Sequence, residues 1–562
     1  MSGTFLNPDG ENSFIEICRK SSFVDKTNFI GEMIERLDGG EEKLVAFTRP
    51  RRFGKTITAQ MLASFFSKGM DSKNVFSKLK IATEYESKKY KNFNYENFLN
   101  KYDVVYVDMN DVYDSYKTYT QRSEKIQDVL DIVDYFEYSV IKELRERSDF
   151  LPILEKERVG NIGLSDALSF IHKKMDMKFI FIMDEWDLIY RDFRDDELLQ
   201  KKYIDKLRGL FKASKGIECF SLVYLTGILP IKKYNSESAL NNFKEYNMLK
   251  PGTYEDYLGF TEAEVEKIVS ESNCSLSLKD IKDWYDGYKL NGKEIYNPNS
   301  VISAIFDGKC QSYWSGTSSN NEVVRLINMN FDGIKNDILN LIAGAKIMFD
   351  YETFQNDMVS IENKDQLFSL LVCLGYLGCE EKGNGSTCRL AFVPNREIRS
   401  ALSSIVRKQS WYNSLPIIER SEKLFHAIKN CDAGTVSQII GDIHNSTYIS
   451  VLGYNREEAL VFCLIAGLMW STGSDYECYR EVQSGIGFVD LVYVPLSNVD
   501  LPIMLIEFKR DAGADVAIKQ IKDNNYVSRY CNNKPDHEII MIGLSYNSKT
   551  KEHDCVIESL TQ

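Results

Sequence analysis

Three short groups of residues in this chain have the types and spacing that chemistry requires. Gly54-Lys55-Thr56 closes a basic loop, TRPRRFGKT, between an apolar run (Leu44 to Phe47) and a helical pattern carrying Ile57, Met61, Leu62, Phe65 and Phe66. Strand, loop and helix in that order make a phosphate cradle. Backbone N–H groups from Arg52, Phe53 and Gly54 onward face the anion, Lys55 reaches the terminal phosphates and Thr56 can ligate Mg²⁺. The first glycine of the usual G-x-x-x-x-G-K-[ST] spacing falls on Arg49, so this is a modified Walker A loop in which Arg49 or Pro50 must shape the turn.

The second group is Asp184-Glu185, at the end of the apolar run Phe179 to Met183. As a Walker B pair, Asp184 would hold Mg²⁺ and Glu185 would orient and deprotonate the attacking water. A further apolar run, Phe220 to Leu225, ends in Thr226-Gly227, where a polar side chain can sense a γ-phosphate. The third group is Asp490 with Glu507-Phe508-Lys509. Strand side chains alternate, so Glu507 and Lys509 share one face while Phe508 points into the core. Two carboxylates on neighbouring strands can hold Mg²⁺, with Mn²⁺ an alternative, and leave positions for water and a phosphate oxygen. The lysine then handles the water and offsets charge on the phosphorane. The Phe508 carbonyl is a further candidate ligand, and Glu458 a third carboxylate, with Glu457 as its alternative.

These groups need elements to position them. Val104 to Val107, ending in Asp108, adds a strand between the phosphate loop and the acidic strand, which places the expected sheet in the ATPase branch that uses a catalytic glutamate. A helix is expected over Ser123–Arg147, another over Ser165–Met175, and buried strands separated by helices predict a parallel sheet covered on both faces. From Pro251 the character changes. Thr261 with Glu264 forms a capping-box pattern, and the aromatic WYDGY segment (284–288) reads as core more readily than as a ligand platform. An apolar segment, Leu367 to Leu377, and a hairpin ending near Phe392 lie in a largely helical stretch. The C-terminal order is helix (Arg456–Trp470), strand (Tyr476–Val482), a turn at Gly485-Ile486-Gly487, and strand (Phe488–Val494). Strand (Ile503–Lys509), helix (Ala514–Tyr530) and strand (Glu538–Leu544) complete it.

FVDKT (23–27), RPRRFGKT (49–56), the Asp184-Glu185 strand and Thr226-Gly227 together resemble the AAA-ATPase-like family. Its members commonly carry a C-terminal PD-(D/E)XK nuclease superfamily domain, whose core is the αβββαβ order above. WYDGY, YNPNS (296–300) and SYWSGTSSN (312–320) are similar to the family's middle region. The altered first glycine is a trait of that family, and the resemblance implies that FVDKT packs near the nucleotide base. The expected fold class is α/β: a P-loop AAA-like ATPase domain (1–250), a helical lid (251–345), a mostly helical connecting region (346–445) and a nuclease-like domain (446–562). ATP and Mg²⁺ are the implied cofactors, and DNA the implied partner. In related nucleases a Gln and a Tyr after the triplet face the site. Here Gln520 and Tyr526 are six apart instead of four, so only Gln520 is carried forward. Arg49, Arg51, Arg52 and Arg208 are all candidates for an arginine finger, which could act across the interface of a homo-oligomer.

Composition sets limits. The 562 residues are enough for about three or four domains, and 43% hydrophobic with 27% charged residues is ordinary globular composition. A net charge of −13 restricts DNA contacts to local basic patches, for which Arg510, Lys519 and Lys522 are candidates. Twelve cysteines are scattered without zinc spacing, and the five histidines are dispersed. The N-terminus lacks a signal pattern and no apolar run reaches membrane-spanning length, so a cytoplasmic chain without membrane contact is expected. Two readings follow: an ATP-controlled, metal-dependent nuclease, or a nucleotide-dependent assembly switch whose nuclease-like fold binds a partner without cutting it.

Overall fold

Four fully or largely apolar runs form the centre of the N-terminal half: β1 (Leu44–Thr48), β2 (Asp103–Asp108), β3 (Phe179–Asp184) and β4 (Phe220–Gly227). Every residue of β1, β3 and β4 is buried, as strands covered by helices on both faces must be. With the short β5 (Lys244–Tyr246) they make a parallel sheet of order β2-β3-β4-β1-β5. β2, which lies between β1 and β3 in sequence, takes the sheet's edge. β4 is the strand that separates the phosphate loop from the acidic strand. The computed structural model describes residues 5–7, 11–122, 130–156, 162–231, 240–272, 274–314, 319–328, 333–342, 344–352, 354, 361–381, 387–407, 416–445, 457–472, 476–484, 487–495, 501–528 and 537–560.

The long helix expected over Ser123–Arg147 is shorter. It runs Ile132–Glu146 because the Asp131 carboxylate caps it, accepting the Val133 and Asp134 N–H groups at 3.0 and 2.9 Å. The beginning of the expected helix, 123–129, lies outside the described residues. The stretch 251–345, expected as a helical lid, has among its described residues four helices within 262–328 and a fifth, Ile334–Ile342. It also contains a three-stranded antiparallel sheet of Phe260–Thr261, Tyr288–Leu290 and Lys293–Tyr296. Thr261 and Glu264 form the capping box. Glu264 has a second partner, the Lys26 ammonium at 2.6 Å. Tyr285 and Tyr288 of WYDGY are fully buried core residues.

The chain divides into two units, Met1–Ile334 with Met348–Ala401, and Lys335–Ile347 with Leu402–Gln562. In the second, β6 (Tyr476–Ser484), β7 (Gly487–Pro495), β8 (Ile503–Arg510), β9 (Ile539–Tyr546) and β10 (His553–Leu560) form a mixed sheet in chain order. β8 and β9 are parallel and the other pairs antiparallel. β10 extends the expected αβββαβ core by one strand. Leu491, Met504, Ile506 and Phe508 pack on one face with the helices Pro416–Lys429, Ala433–His444 and Glu457–Thr472. Val492, Ile503 and Leu505 pack on the other with Ile518 and Ile521 of the helix Ala514–Asp523. No helix among the described residues is long and apolar enough to cross a membrane.

Candidate functional site

The loop after β1 turns through left-handed backbone at Arg52 (φ +69°) and Gly54 (φ +86°) and enters the helix Lys55–Phe66 without any side-chain cap. The first N–H groups of that helix are therefore available to an anion. Arg49, at the position of the missing glycine, folds its side chain under the loop with no exposed surface. Its Nη1 donates to Thr48 O at 3.0 Å and Tyr246 O at 3.4 Å, while Nε and Nη2 have no hydrogen-bond partner. Burial pushes this guanidinium down to about 10.

A cavity of about 590 Å³ opens in front of the loop. Phe14, Phe23, Met61, Tyr257 and Phe260 line its apolar part. Arg51, Arg52, Lys55, Thr56, Glu185 and Arg191 line its polar part. Of the arginines considered from sequence, Arg51 and Arg52 reach this cavity, whereas Arg49 and Arg208 are not among its walls. Lys55, 5% exposed, donates to Pro50 O at 3.0 Å, and burial lowers its pKa against the pull of Glu185 and Asp184.

Asp184 is fully buried at the end of β3. Its Oδ1 accepts the Glu185 N–H at 2.9 Å, and Oδ2 has no hydrogen-bond partner. Burial, then Glu185 and Asp108, push it up to about 7. Thr226 Oγ1, on the neighbouring strand, is likewise buried without a partner. Buried polar atoms are seldom left unsatisfied. An orphaned carboxylate oxygen beside Thr56 and Lys55 fits the hydrated cation and phosphates that a nucleotide would bring.

Two residues here escaped the sequence reading. Asp187, fully buried, accepts the Ile228 and Leu229 N–H groups at 3.2 and 2.9 Å. Arg191 donates to Glu185 Oε2 and lies 3.2 Å from Asp187 Oδ2. Burial works to raise the Glu185 pKa, but Arg191, Lys55 and Arg51 together hold it below the ordinary range. The i,i+4 spacing of Asp187 and Arg191, directly after Asp184-Glu185, is the one signal that sequence offered.

The second unit brings Asp490, Glu507, Lys509 and Gln520 together. Asp490 Oδ2 accepts the Phe508 N–H at 2.8 Å, and the Asp490 N–H points to Glu507 Oε2 at 3.4 Å. Lys509 Nζ lies 3.0 Å from both Glu507 Oε1 and Phe508 O, and Gln520 Nε2 also donates to Glu507 Oε1. Glu507 is 1% exposed, and burial, then Asp490, push it up to about 7 against Lys509. Two carboxylates and a carbonyl, one carboxylate buried with a single cation beside it, fit the oxygen preference of a hard divalent ion. The side chains of Glu457 and Glu458, at the start of the helix Glu457–Thr472, lie outside the described residues, as do Gly485 and Ile486. Among the described residues no group of three or more His, Cys, Asp or Glu is arranged to hold a metal.

Tyr526, set aside on spacing, belongs to this cluster. The helix stops at Asp523, Asn525 turns through φ +53°, and the Tyr526 hydroxyl returns to donate to Phe488 O at 2.8 Å. It also lies 3.5 Å from Gln520 Nε2. Of the candidate phosphate contacts, Lys519 is exposed, whereas Lys522 is paired with Glu558 at 2.5 Å and Arg510 with Asp511 at 3.3 Å.

Comparison with known proteins agrees with this geometry. Residues 8–235 match the family described as "Predicted AAA-ATPase", and residues 457–554 match the PD-(D/E)XK nuclease superfamily. A curated relative, "Uncharacterized protein in vnfD 5'region" of Azotobacter chroococcum mcd 1, is 22% identical over 323 residues. That match takes in 57% of this chain, and the chain spans 55% of the relative's length. The chain thus carries an AAA-ATPase-like segment at 8–235 and a PD-(D/E)XK nuclease superfamily segment at 457–554, the arrangement that its motifs imply.

Proposed function

We propose that this chain binds and hydrolyses ATP in the cavity before Gly54-Lys55-Thr56, and that this controls hydrolysis of DNA phosphodiesters at Asp490, Glu507 and Lys509. Supporting it most is the meeting of Lys55, Thr56 and Glu185 on the wall of one cavity that also has an apolar part, with the buried Asp184 beside Thr56 and Lys55. The division into ATPase (1–250), lid (251–345), connecting region (346–445) and nuclease (446–562) belongs to the same proposal. So do assembly as a homo-oligomer and a role in defence against, or maintenance of, mobile DNA.

Lys55 exchanges Pro50 O for the terminal phosphates, which supply the charge that its burial makes costly. The Thr226 hydroxyl donates to the γ-phosphate, and Glu185 orients a water and accepts its proton. In the second unit Lys509 orients the attacking water and offsets charge on the phosphorane, while Gln520 fixes the Glu507 carboxylate. Thr56 with Asp184, and Asp490 with Glu507 and Phe508 O, would each hold a divalent cation (Mg²⁺, or Mn²⁺ at the second site), which supplies positive charge to phosphoryl oxygens and acidifies water.

The experiment is cleavage of plasmid and single-stranded DNA with Mg²⁺ or Mn²⁺, with and without ATP, beside ATP turnover of the wild type and Lys55→Ala. Metal-dependent cutting together with turnover that is lost in Lys55→Ala is the expected result. ATP turnover without cutting under any condition favours the assembly-switch reading. Unchanged turnover in Lys55→Ala refutes the nucleotide site.

A further inference from the structure

Beside the carboxylates of the second unit stands an aromatic side chain that no step above uses. Phe488, the second residue of β7 and two before Asp490, is 60% exposed, more than any other large apolar side chain described in that unit. Its backbone, in contrast, is fixed. The Phe488 carbonyl accepts from the Tyr526 hydroxyl at 2.8 Å, and that hydroxyl accepts from Asn524 Nδ2 at 2.9 Å. Tyr526 is itself buried. Gly487 lets the two come together, since a Cβ there would lie 2.7 Å from the Tyr526 oxygen. Gln520 Nε2, 3.5 Å from the same hydroxyl, also donates to Glu507 Oε1. The mount of Phe488 and a carboxylate that would hold the cation thus share one hydrogen-bonded chain. A strand rises about 3.3 Å per residue, which puts the Phe488 and Asp490 backbones about 7 Å apart.

We propose that Phe488 is a stacking platform for one unpaired base beside the scissile phosphate, so that this site takes single-stranded or frayed DNA in preference to intact duplex. This rests on the reading of Asp490, Glu507 and Lys509 as a site for DNA phosphodiesters. A phosphate held at the two carboxylates carries a nucleoside on either side, and Phe488 stands where such a neighbour lies. Every base has a π-face, so stacking on an aromatic ring needs no particular sequence, but it needs a face that is not already covered. Inside a duplex both faces of each base are covered by its neighbours, whereas in a single strand or at a frayed end a base can turn out to the protein. The occupant is therefore an unpaired base and not a base pair. The ring has only two side-chain torsions and its backbone is already pinned, so little freedom is lost when a base settles on it. Lys519, exposed next to Gln520 on the helix Ala514–Asp523, supplies a cation for the phosphates of the same strand.

The test is binding of single-stranded and duplex oligonucleotides carrying 2-aminopurine, whose fluorescence falls when the base stacks. The full chain is used as wild type, Phe488→Ala, Phe488→Leu, Phe488→Trp and Lys509→Ala, in Ca²⁺, a hard cation for the same oxygen ligands. The wild type should quench the single-stranded probe and bind it more tightly than the duplex. Phe488→Ala should weaken single-strand binding by about fivefold or more, the lower end of what one stacked base contributes, and lose the quenching. Its duplex binding should stay within about twofold of the wild type. Phe488→Trp should keep both the affinity and the quenching. Phe488→Leu, apolar but without a π-face, should behave as Phe488→Ala does. Equal losses for single strand and duplex, quenching that survives in Phe488→Ala, or a leucine variant that binds as the wild type does overturns the proposal. Where Phe488→Ala does not fold, equal behaviour of the leucine and tryptophan variants overturns it. A wild type that binds no DNA removes the DNA reading and this inference with it. A wild type whose DNA binding weakens in Lys509→Ala, with no dependence on Phe488, removes this inference alone.

Discussion

Arg49→Met should leave ATP turnover intact and make the first unit more stable by about 1–2 kcal/mol. The side chain has no exposed surface, and burial moves its pKa from 12.5 to about 10. That displacement corresponds to about 3 kcal/mol of unfavourable environment for the charged form. Two hydrogen bonds offset part of it: Nη1 to Thr48 O at 3.0 Å contributes about 1 kcal/mol, and the one to Tyr246 O at 3.4 Å less. Nε and Nη2 contribute nothing in return, having no partner. Methionine is long and unbranched enough to fill the same space, so the balance favours the apolar residue. Arg49→Gly, which restores the usual loop glycine, should instead destabilise, because it leaves a void. Urea unfolding followed through tryptophan fluorescence, with Trp186 fully buried in this unit, reads the shift in midpoint. A lowered midpoint for Arg49→Met, or lost turnover, refutes the reasoning and returns Arg49 to the reaction.

Asp490→Ala and Lys509→Ala should each abolish metal-dependent DNA cleavage while ATP turnover stays near wild type. Excess Mn²⁺ should rescue a little of the first and none of the second, and equal cutting by both variants places the active site elsewhere. Tyr526→Phe removes the hydroxyl that holds Phe488 O and approaches Gln520, and should slow cleavage without affecting ATP turnover. An unaltered cleavage rate makes that hydroxyl purely structural. His553, whose ring nitrogen is 2.6 Å from His444 Nδ1, is pushed down to about 4 by burial and then by His444. The unfolded chain takes up the proton at the ordinary 6.5 while the folded chain resists it. The stability from this site is therefore complete above about pH 6.5 and lost as the pH falls towards 4. The drop in urea midpoint between pH 7 and pH 5 should shrink in His553→Gln, and an undiminished drop refutes the assignment.

What sequence revealed follows from which interactions are local. β1, β3 and β4 were legible because strands buried on both faces must be apolar throughout, and their polar ends mark where the sheet meets a site. Strand order was not, because neighbour relations depend on how the crossovers wrap, and β2 went to the edge. For the helix ending at Glu146, apolar spacing does not mark the start, whereas the capping carboxylate of Asp131 does. Tyr526 was discounted on helical spacing beyond the point where the helix stops. β10 gives a weak signal because its apolar run is only Cys555-Val556-Ile557, flanked by polar residues, and most of the strand is partly or fully exposed. Arg191 became visible only once β3 and the Ile228-Leu229 segment were side by side.

The Lys26–Glu264 ion pair also bears on how the protein is made. Its partners are 238 positions apart, and the apolar wall of the nucleotide cavity draws on both ends of that span, from Phe14 to Ile302. At about 5–20 residues per second on a ribosome, the loop at Gly54-Lys55-Thr56 emerges on the order of 10–50 s before the residues from Tyr257 to Ile302 that complete the cavity wall. During that interval the nascent chain has the loop but not the far wall of the cavity. The cavity is thus closed only when about half of the chain has been made.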